Sequence, residues 1–542
     1  MYVRLKYSKK AKYPTMQIVE GIREGNKVRQ RTVAHLGVVK GEKDLKKLKK
    51  LAENIIERLE KEGLPADPKV ALSTIKHKKT TYDGFSTVVD NLMDMTGFTE
   101  VIQSKQGRHK FNLAKTIKLV LTQRFDLPSS KLRTYERQTE HGFDEVSLQH
   151  IYRAMDAIEG LEGEIQKQAF HTLKKYSGEP VDCFFFDVTT LYFEGVKQDS
   201  IRDFGFSKDQ KYHLVQIVFA LVVDSQGVPL AYETFKGNLA ETKTLIPVLE
   251  KLRERFAVTN VTVVCDRGLA SKTNVEALQT SQFHFVIASK LRSMSKKLKL
   301  NDITTYTAMP NQDHIPEEER TFFRSLAHPQ YSDTTLIATY SPSRAHKDRE
   351  DRDRLLEKLR KKIDHSLGET TIKNAISNGG YKKFTTVKAG SLITINEEAV
   401  EADALWDGFH GIAVANSAKL SPETALSRYR DLWHVEEAFR VAKYTLKTRP
   451  IYHWAPHRIE THMLLCFINL FIERFLELLL RKNGTPLTPD RIRYALSLVH
   501  TTTFEDESTG REGMMRSVLE EDAQKIFQTL GMSIDRTTIL KS

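Results

Sequence analysis

Cysteine is scarce: 542 residues hold three, Cys183, Cys265 and Cys466, far apart and each inside an apolar run. No CxxC pair exists, which excludes a disulfide scaffold and a thiolate zinc site and suits a reducing cytoplasm. Glycine-rich phosphate loops of the Walker or dinucleotide-binding kind are missing, so nucleotide hydrolysis and hydride transfer lose their usual support. Long hydrophobic runs are missing too. The greasiest stretch, Met463–Leu480, is broken by Glu473, Arg474 and Glu477, leaving ten uncharged residues, about half of the ~20 that a membrane span requires. The N-terminus is polar from Arg4 on and lacks the apolar segment of a signal peptide, so no membrane partner is expected. Repeats and low-complexity tracts are absent. Hydrophobic residues at 40% exclude a wholly disordered chain, and the length implies more than one core.

What the chain has in excess is positive charge, and it is unevenly placed. Residues 1–50 hold fifteen Lys and Arg against four Asp and Glu, a net +11 out of +13 for the whole chain. A basic segment on a near-neutral body points to a polyanion, most often nucleic acid; a solvated tail is the plainer alternative.

Six regions follow from the patterning. Residues 1–68 read as a basic β-hairpin around Glu24-Gly25-Asn26, then a helix over Gly41–Gly63 and a linker at Leu64–Pro68. Lys27, Arg29 and Arg31 alternate along the second strand and share one face, a DNA-binding candidate. Residues 81–176 read as helical, with starts near Ser86, Asn112, Ser129, Ser147 and Glu162. The short helices over 112–158 fit a helix-turn-helix unit or an ordinary bundle. Residues 181–289 give strands at Asp182–Val188, Leu214–Asp224 and Val228–Lys236, a helix over Glu241–Arg255, a strand at Val261–Cys265, a helix over Ser271–Gln279 and a strand at Phe283–Ala288. That order, in an α/β chain, is expected of an RNase H-like core. Residues 290–403 read as a strand-rich insertion, with strands at Thr334–Tyr340, Phe384–Lys388 and Ser391–Asn396 and a charged helix over Ser343–Ile363. Residues 404–482 read as the second part of the core, and 483–542 as a C-terminal helical region suited to dimerisation.

Two aspartates close apolar strands: Asp187 follows Phe184-Phe185-Phe186, and Asp266 follows Val263-Val264-Cys265. Strand mouths are where such sheets place their sites, although a lone aspartate there also caps helices. On a helix at 429–443, Tyr429, Trp433, Glu436, Arg440 and Lys443 fall within one stripe about 80° wide. Leu432, Val435, Phe439 and Ala442 form a separate apolar stripe. The carboxylate thus lies among an aromatic and two cations, as it also would on a surface helix with ion pairs. Gathered carboxylates repel unless a cation neutralises them, and all-oxygen ligands suit Mg²⁺ or Mn²⁺. Two such ions can serve both oxygens of a phosphodiester displacement, with the neighbouring cations on DNA phosphates.

These residues, with Phe186–Thr190, Gly205–Asp209, Cys265–Gly268, Arg449–Trp454 and the hairpin before Ala34–Gly37, resemble the DDE transposases of bacterial insertion sequences, within the insertion-sequence-four superfamily. The hallmark there is Y-x₂-R-x₃-E-x₆-K; Tyr429, Glu436 and Lys443 match, and Leu432 stands at the arginine position. Arg430 or Arg440 is then the substitute. The resemblance implies Asp187, Asp266 and Glu436 as the catalytic metal-binding triad, with two Mg²⁺ or Mn²⁺ ions; Glu437 is the rival third ligand, about 100° off the stripe. It implies Tyr429 and Lys443 on the terminal phosphate, and Trp433 either on an unpaired base or packed. The implied function is binding of terminal inverted repeats in double-stranded DNA, strand cleavage and joining of 3′-OH ends to target DNA, by a homodimer at the nucleoid. A catalytically inactive DNA-binding derivative and a structure-selective nuclease are the alternatives.

Overall fold

The structure is a computed structural model of the whole chain. It describes all residues except 9, 10, 12, 25, 26, 63–74, 179, 208–210, 259, 311, 313, 365–379, 388–392, 446, 447, 449, 450, 508–510, 533–538, 541 and 542. The linker at 64–68, Asp209, Ser391, Arg449 and Pro450 lie outside the described residues, as do the side chains of Lys27 and Arg29.

From the N-terminus run β1 (Tyr2–Lys6), β2 (Thr15–Glu24), β3 (Lys27–Val38), α1 (Glu42–Glu62) and β4 (Ile75–Thr81). Helices α2 (Gly84–Met95), α3 (Phe98–Gln103), α4 (Leu113–Asp126), α5 (Lys131–Arg137), α6 (Leu148–Ala157) and α7 (Glu162–Tyr176) come next. Strands β5 (Cys183–Tyr192), β6 (Gln216–Val223) and β7 (Pro229–Lys236) lead to α8 (Leu245–Phe256), β8 (Thr262–Cys265), α9 (Lys272–Thr280) and β9 (His284–Ala288). Then follow β10 (Thr307–Ala308), β11 (Phe322–Ala327), β12 (Thr334–Tyr340), α10 (Pro342–Asp364), β13 (Thr385–Val387), β14 (Ile393–Ile395), α11 (Glu397–Ala404) and β15 (Phe409–Ala415). The last elements are α12 (Pro422–Arg430), α13 (Trp433–Arg440), α14 (Pro456–Lys482), α15 (Pro489–Ser497), β16 (Thr501–Asp506), β17 (Arg511–Arg516), α16 (Glu521–Thr529) and β18 (Ile539–Leu540).

Two compact units form: residues 86–138 with 144–490, and residues 1–85 with 139–143 and 491–542. The larger is a mixed α/β unit built on a nine-stranded sheet in the order β10-β11-β12-β15-β9-β8-β5-β6-β7. In it β5, β8 and β9 are parallel neighbours, and β6 runs against both β5 and β7. Continuous apolar runs make these strands because both faces are covered, and β6 is buried along its whole length. Within the 290–403 segment, β10, β11 and β12 join the sheet through β15, which pairs with β9 on one side and β12 on the other, whereas β13 and β14 pair in a separate two-stranded sheet.

Helix α14 is the axis of this unit. Residues 459–480 are almost wholly buried, including Glu473 and Arg474, so its greasy stretch is an interior helix. Phe471 meets Phe98 of α3 at 5.2 Å and Phe467 meets Tyr232 of β7 at 5.0 Å. Each buried phenylalanine contributes roughly 1.5–3 kcal/mol. Helices α4, α6 and α7 pack on α14, so the helices over 112–158 bundle with the sheet's own unit. Their starts are capped where the sequence expects: Asn112 accepts from Lys115 N, and Ser147 forms a reciprocal box with His150. No described helix is long and apolar enough to cross a membrane.

In the smaller unit, β1, β2 and β3 form an antiparallel sheet against α1, with Met16, Ile18, Val33, Ala34 and Ala52 buried between them. A second sheet has the order β18-β17-β16-β4. The region 483–542, expected to be helical, therefore also contains strands. Thr501-Thr-Thr-Phe504 is β-branched and aromatic, and it pairs with β4 about 420 residues away in the sequence, which no local pattern announces.

Candidate active site

Strand partners share a face of a sheet, and every second residue along a strand returns to it. Phe185 lies 6.3 Å from His434, and Phe219, level with Thr189, lies 6.1 Å from Phe439, so α13 covers their face. Asp187, two residues past Phe185, belongs to the same face. Phe186 is level with Cys265 across the parallel pair β5–β8. One residue further, where the backbone of Asp266 is still extended, Asp187 and Asp266 therefore stand on adjacent strands and the same face. Burial pushes the Cys265 thiol pKa up, and the charges of Asp266 and then Asp187 add to the rise.

Helix α12 packs on β8, β9 and β15 and brings Tyr429 to Asp266. Burial, then the charge of Asp266, pushes the Tyr429 phenol well above its ordinary range, with Arg344 and Arg267 opposing. Its ring lies 5.1 Å from that of His410, the second residue of β15. Burial first, then Arg344 and Arg267, lowers His410 to about 4. These groups open on a cleft of about 830 Å³, also lined by Lys290, Arg292 and Arg352. On its far side Asp403 touches Arg292 and Lys383, and Arg352 grips Asp407 with a 2.7 Å bond. Burial raises the Asp403 carboxyl, but Lys383 and Arg292 outweigh it and hold the group low.

The expected single helix over 429–443 is broken. The Leu432, His434 and Val435 amides bond three residues back, tightening the turn between α12 and α13, and residues 441–445 widen into a π-turn. Azimuths counted at 100° per residue do not carry across such joints. Glu436 and Arg440 are exposed on α13, Arg430 is exposed at the end of α12, and Lys443 is half-buried in the π-turn. Trp433 is 50% exposed, its ring 3.9 Å from that of His434. Glu437 points to α14, 3.3 Å from Arg474. Leu432, at the position of the missing arginine, is buried. Arg31 is exposed and pairs with Glu20 at 3.0 Å.

The structure thus brings Asp187, Asp266 and Tyr429 together. Glu436 rides on the helix packed over β5 and β6. Among the described residues no three His, Cys, Asp or Glu side chains form a ready metal-holding cluster. Sequence reasoning missed Arg267, Lys290, Arg344 and His410. Arg267 and Lys290 follow strand ends and were readable as such; Arg344 and His410 reach the site only through the pairing of β15.

The fold is thus a mixed α/β sheet with two carboxylates on one face, Asp187 in the middle of β5 and Asp266 directly after β8, covered by a helix that carries acidic and cationic residues. Residues 180–472 match the family model of the transposase DDE domain, more than half of the chain, and the chain belongs to the DDE transposases. Residues 3–68 match the N-terminal domain of the IS1634 family transposases, an insertion-sequence type. Among solved structures, the piggyBac transposase synaptic complex with hairpin DNA is similar at 10% identity over 83% of this chain and 78% of that one, TM-score 0.34. The Mos1 transposase paired-end complex with left transposon end is similar at 13% identity, over 32% and 58%, TM-score 0.15. The Mos1 mariner paired end complex with Mn is similar at 13% identity, over 44% and 66%, TM-score 0.14. No curated protein matches significantly.

Proposed function

We infer that this DDE transposase binds the terminal inverted repeats of its own insertion sequence, cleaves DNA there and joins the 3′-OH ends to target DNA as a homodimer at the nucleoid. The observation that carries this reading is the placement of Asp187 and Asp266 side by side on β5 and β8, five strands in the order β7-β6-β5-β8-β9 being read as the RNase H-like core. The donors fit a hard divalent ion: all are oxygens, and Asp266 makes no side-chain hydrogen bond or ion pair among the described residues. Asp187, Asp266 and Glu436 would hold two Mg²⁺ or Mn²⁺ ions, which when bound lower the pKa of a water and stabilise charge on the leaving oxygen. Glu436, exposed on α13, would be the third ligand, whereas Glu437 is paired with Arg474 and is left out.

The Tyr429 phenol is neutral near pH 7, so its hydroxyl donates to a phosphate oxygen without adding charge. Lys443 supplies a cation to the same terminal phosphate, Arg430 and Arg440 hold flanking phosphates, and Trp433 stacks on a base. Arg31, with Lys27 and Arg29 of the same strand, binds duplex phosphates.

Asp187→Asn, Asp266→Asn and Glu436→Gln should each abolish Mg²⁺- or Mn²⁺-dependent strand cleavage of element-end DNA while sparing end binding in a mobility-shift assay. Cleavage retained by all three variants rejects the triad. Cleaved ends without joined product would make the chain a nuclease.

A further inference from the structure

The segment Ile451-Tyr-His-Trp454 belongs to the sequence motifs but takes no part in the carboxylate site. Its side chains alternate. Ile451 and His453 are buried, whereas Tyr452 and Trp454 are 64% and 65% exposed. His453 anchors the segment, its ring 6.3 Å from Tyr152 and 5.4 Å from His462.

A second anchor comes from the loop after β5, the strand that carries Asp187. Arg202 is only 2% exposed, and its guanidinium donates to the Trp454 carbonyl at 2.9 Å. It lies over the Trp454 ring at 5.7 Å and over the Phe193 ring at 5.3 Å. Asp199 fixes it with a 2.8 Å bond from Nε. A Cβ added at Gly195 would sit 3.7 Å from the indole, so the ring rests on bare backbone. Lys197, exposed, borders the same small hollow as Tyr452 and Trp454.

A buried, ion-paired arginine that holds an exposed indole in place is unexplained by core packing, since most of the ring stays outside. Rigid aromatic faces beside a cation suit an unpaired nucleobase with its phosphate: every base has a face to stack, and ordering was completed when the chain folded. The platform follows the C-terminal end of β5, the strand that carries Asp187 at its middle.

We propose that Trp454 and Tyr452, held by Arg202, form a stacking platform for an unpaired base of DNA, with Lys197 on the adjoining phosphate. The proposal rests on the reading of the chain as acting on DNA. The test uses the full chain carrying Asp266→Asn to prevent cleavage, a blunt duplex, and the same duplex with a short single-stranded tail. Trp454→Ala should bind the tailed duplex about ten-fold more weakly, within the range for removal of a base-stacking aromatic, and the blunt duplex as before. In a chain that also carries Trp433→Phe, tryptophan fluorescence should be quenched by the tailed duplex, and Trp454→Phe should keep the affinity while losing that quench. Should Trp454→Ala lose both duplexes through misfolding, the quench in Trp454→Phe decides. Undiminished preference for the tail in Trp454→Ala, or an undiminished quench in Trp454→Phe, overturns the platform. A chain that binds both duplexes equally without quenching rejects the platform alone; one that binds neither rejects the DNA reading itself.

Discussion

His453 shows how a buried imidazole ties stability to pH. Burial, then the positive charges of Lys131, Arg458 and Arg124, lowers its pKa to about 3, with Asp156 opposing. An unfolded histidine titrates near 6.5, so between about pH 6.5 and 3 the unfolded chain binds the extra proton. The stabilisation is therefore complete above about pH 6.5 and is lost as pH falls toward 3, by at most about 1.4 kcal/mol per pH unit. His410, lowered to about 4, acts in the same direction. Urea unfolding between about pH 7 and 5 should show stability falling with acid, and His453→Phe should flatten the slope; an identical slope rejects the assignment. The same scale separates what was legible in the site from what was not. Asp187 and Asp266 could be read because an apolar run ending in a carboxylate is a local pattern. His410 could not, since only the β15–β9 register brings it to Tyr429.

Glycine spacing decides how closely elements approach. A Cβ on Gly205 would meet the Gly237 carbonyl oxygen at 2.2 Å, where the Gln216 amide already donates to Phe206 O at 3.0 Å and Gly237 O at 2.9 Å. Backbone, not a yielding side chain, is in the way. Gly205→Ala should therefore cost about 1–3 kcal/mol in urea unfolding. Gly163, in helix α7 with open space around its Cβ position, is the contrast, and Gly163→Ala should stabilise by about 0.5–1 kcal/mol. Equal stability of the two variants would remove the close-approach account of the Gly205 motif. Element periods explain the rest of the reading. Strands β5–β9 were visible as apolar runs between turns, and β12 as Thr334–Tyr340. Strand β4, IKHKKTT, alternates nothing apolar and is held by β16 from the far end of the chain, so it was invisible. The helix over 429–443 failed at the tightened turn and the π-turn, where hydrogen bonding leaves the α pattern.

Charge is the property that belongs to the whole molecule. Nearly all of the +13 lies in the first fifty residues, and the structure turns much of it outward: Lys43, Lys46, Lys47, Lys49 and Lys50 are exposed along α1. Leu45, Leu48, Ile55 and Ile56 of that helix pack on the core of β1–β3, so the lysines are displayed by a packed element rather than a loose tail. The pair Arg31–Glu20 is exposed and contributes at most about 1 kcal/mol, which leaves Arg31 free to exchange its carboxylate for a phosphate. Each phosphate this segment neutralises should steepen the fall of log K with log salt by roughly 0.9. Because β1–β3 and α1 share a core of their own, removing residues 1–63 should flatten the slope and weaken end binding, while metal-dependent nicking at low salt persists. Charge reversal by Lys46→Glu with Lys49→Glu tests the same point without deletion, since both side chains face solvent and the helix keeps its apolar face. The flattening should be about two phosphates' worth if both lysines touch DNA. An unchanged slope in both proteins would separate the basic segment from DNA altogether and leave the carboxylate face to bind its substrate unaided.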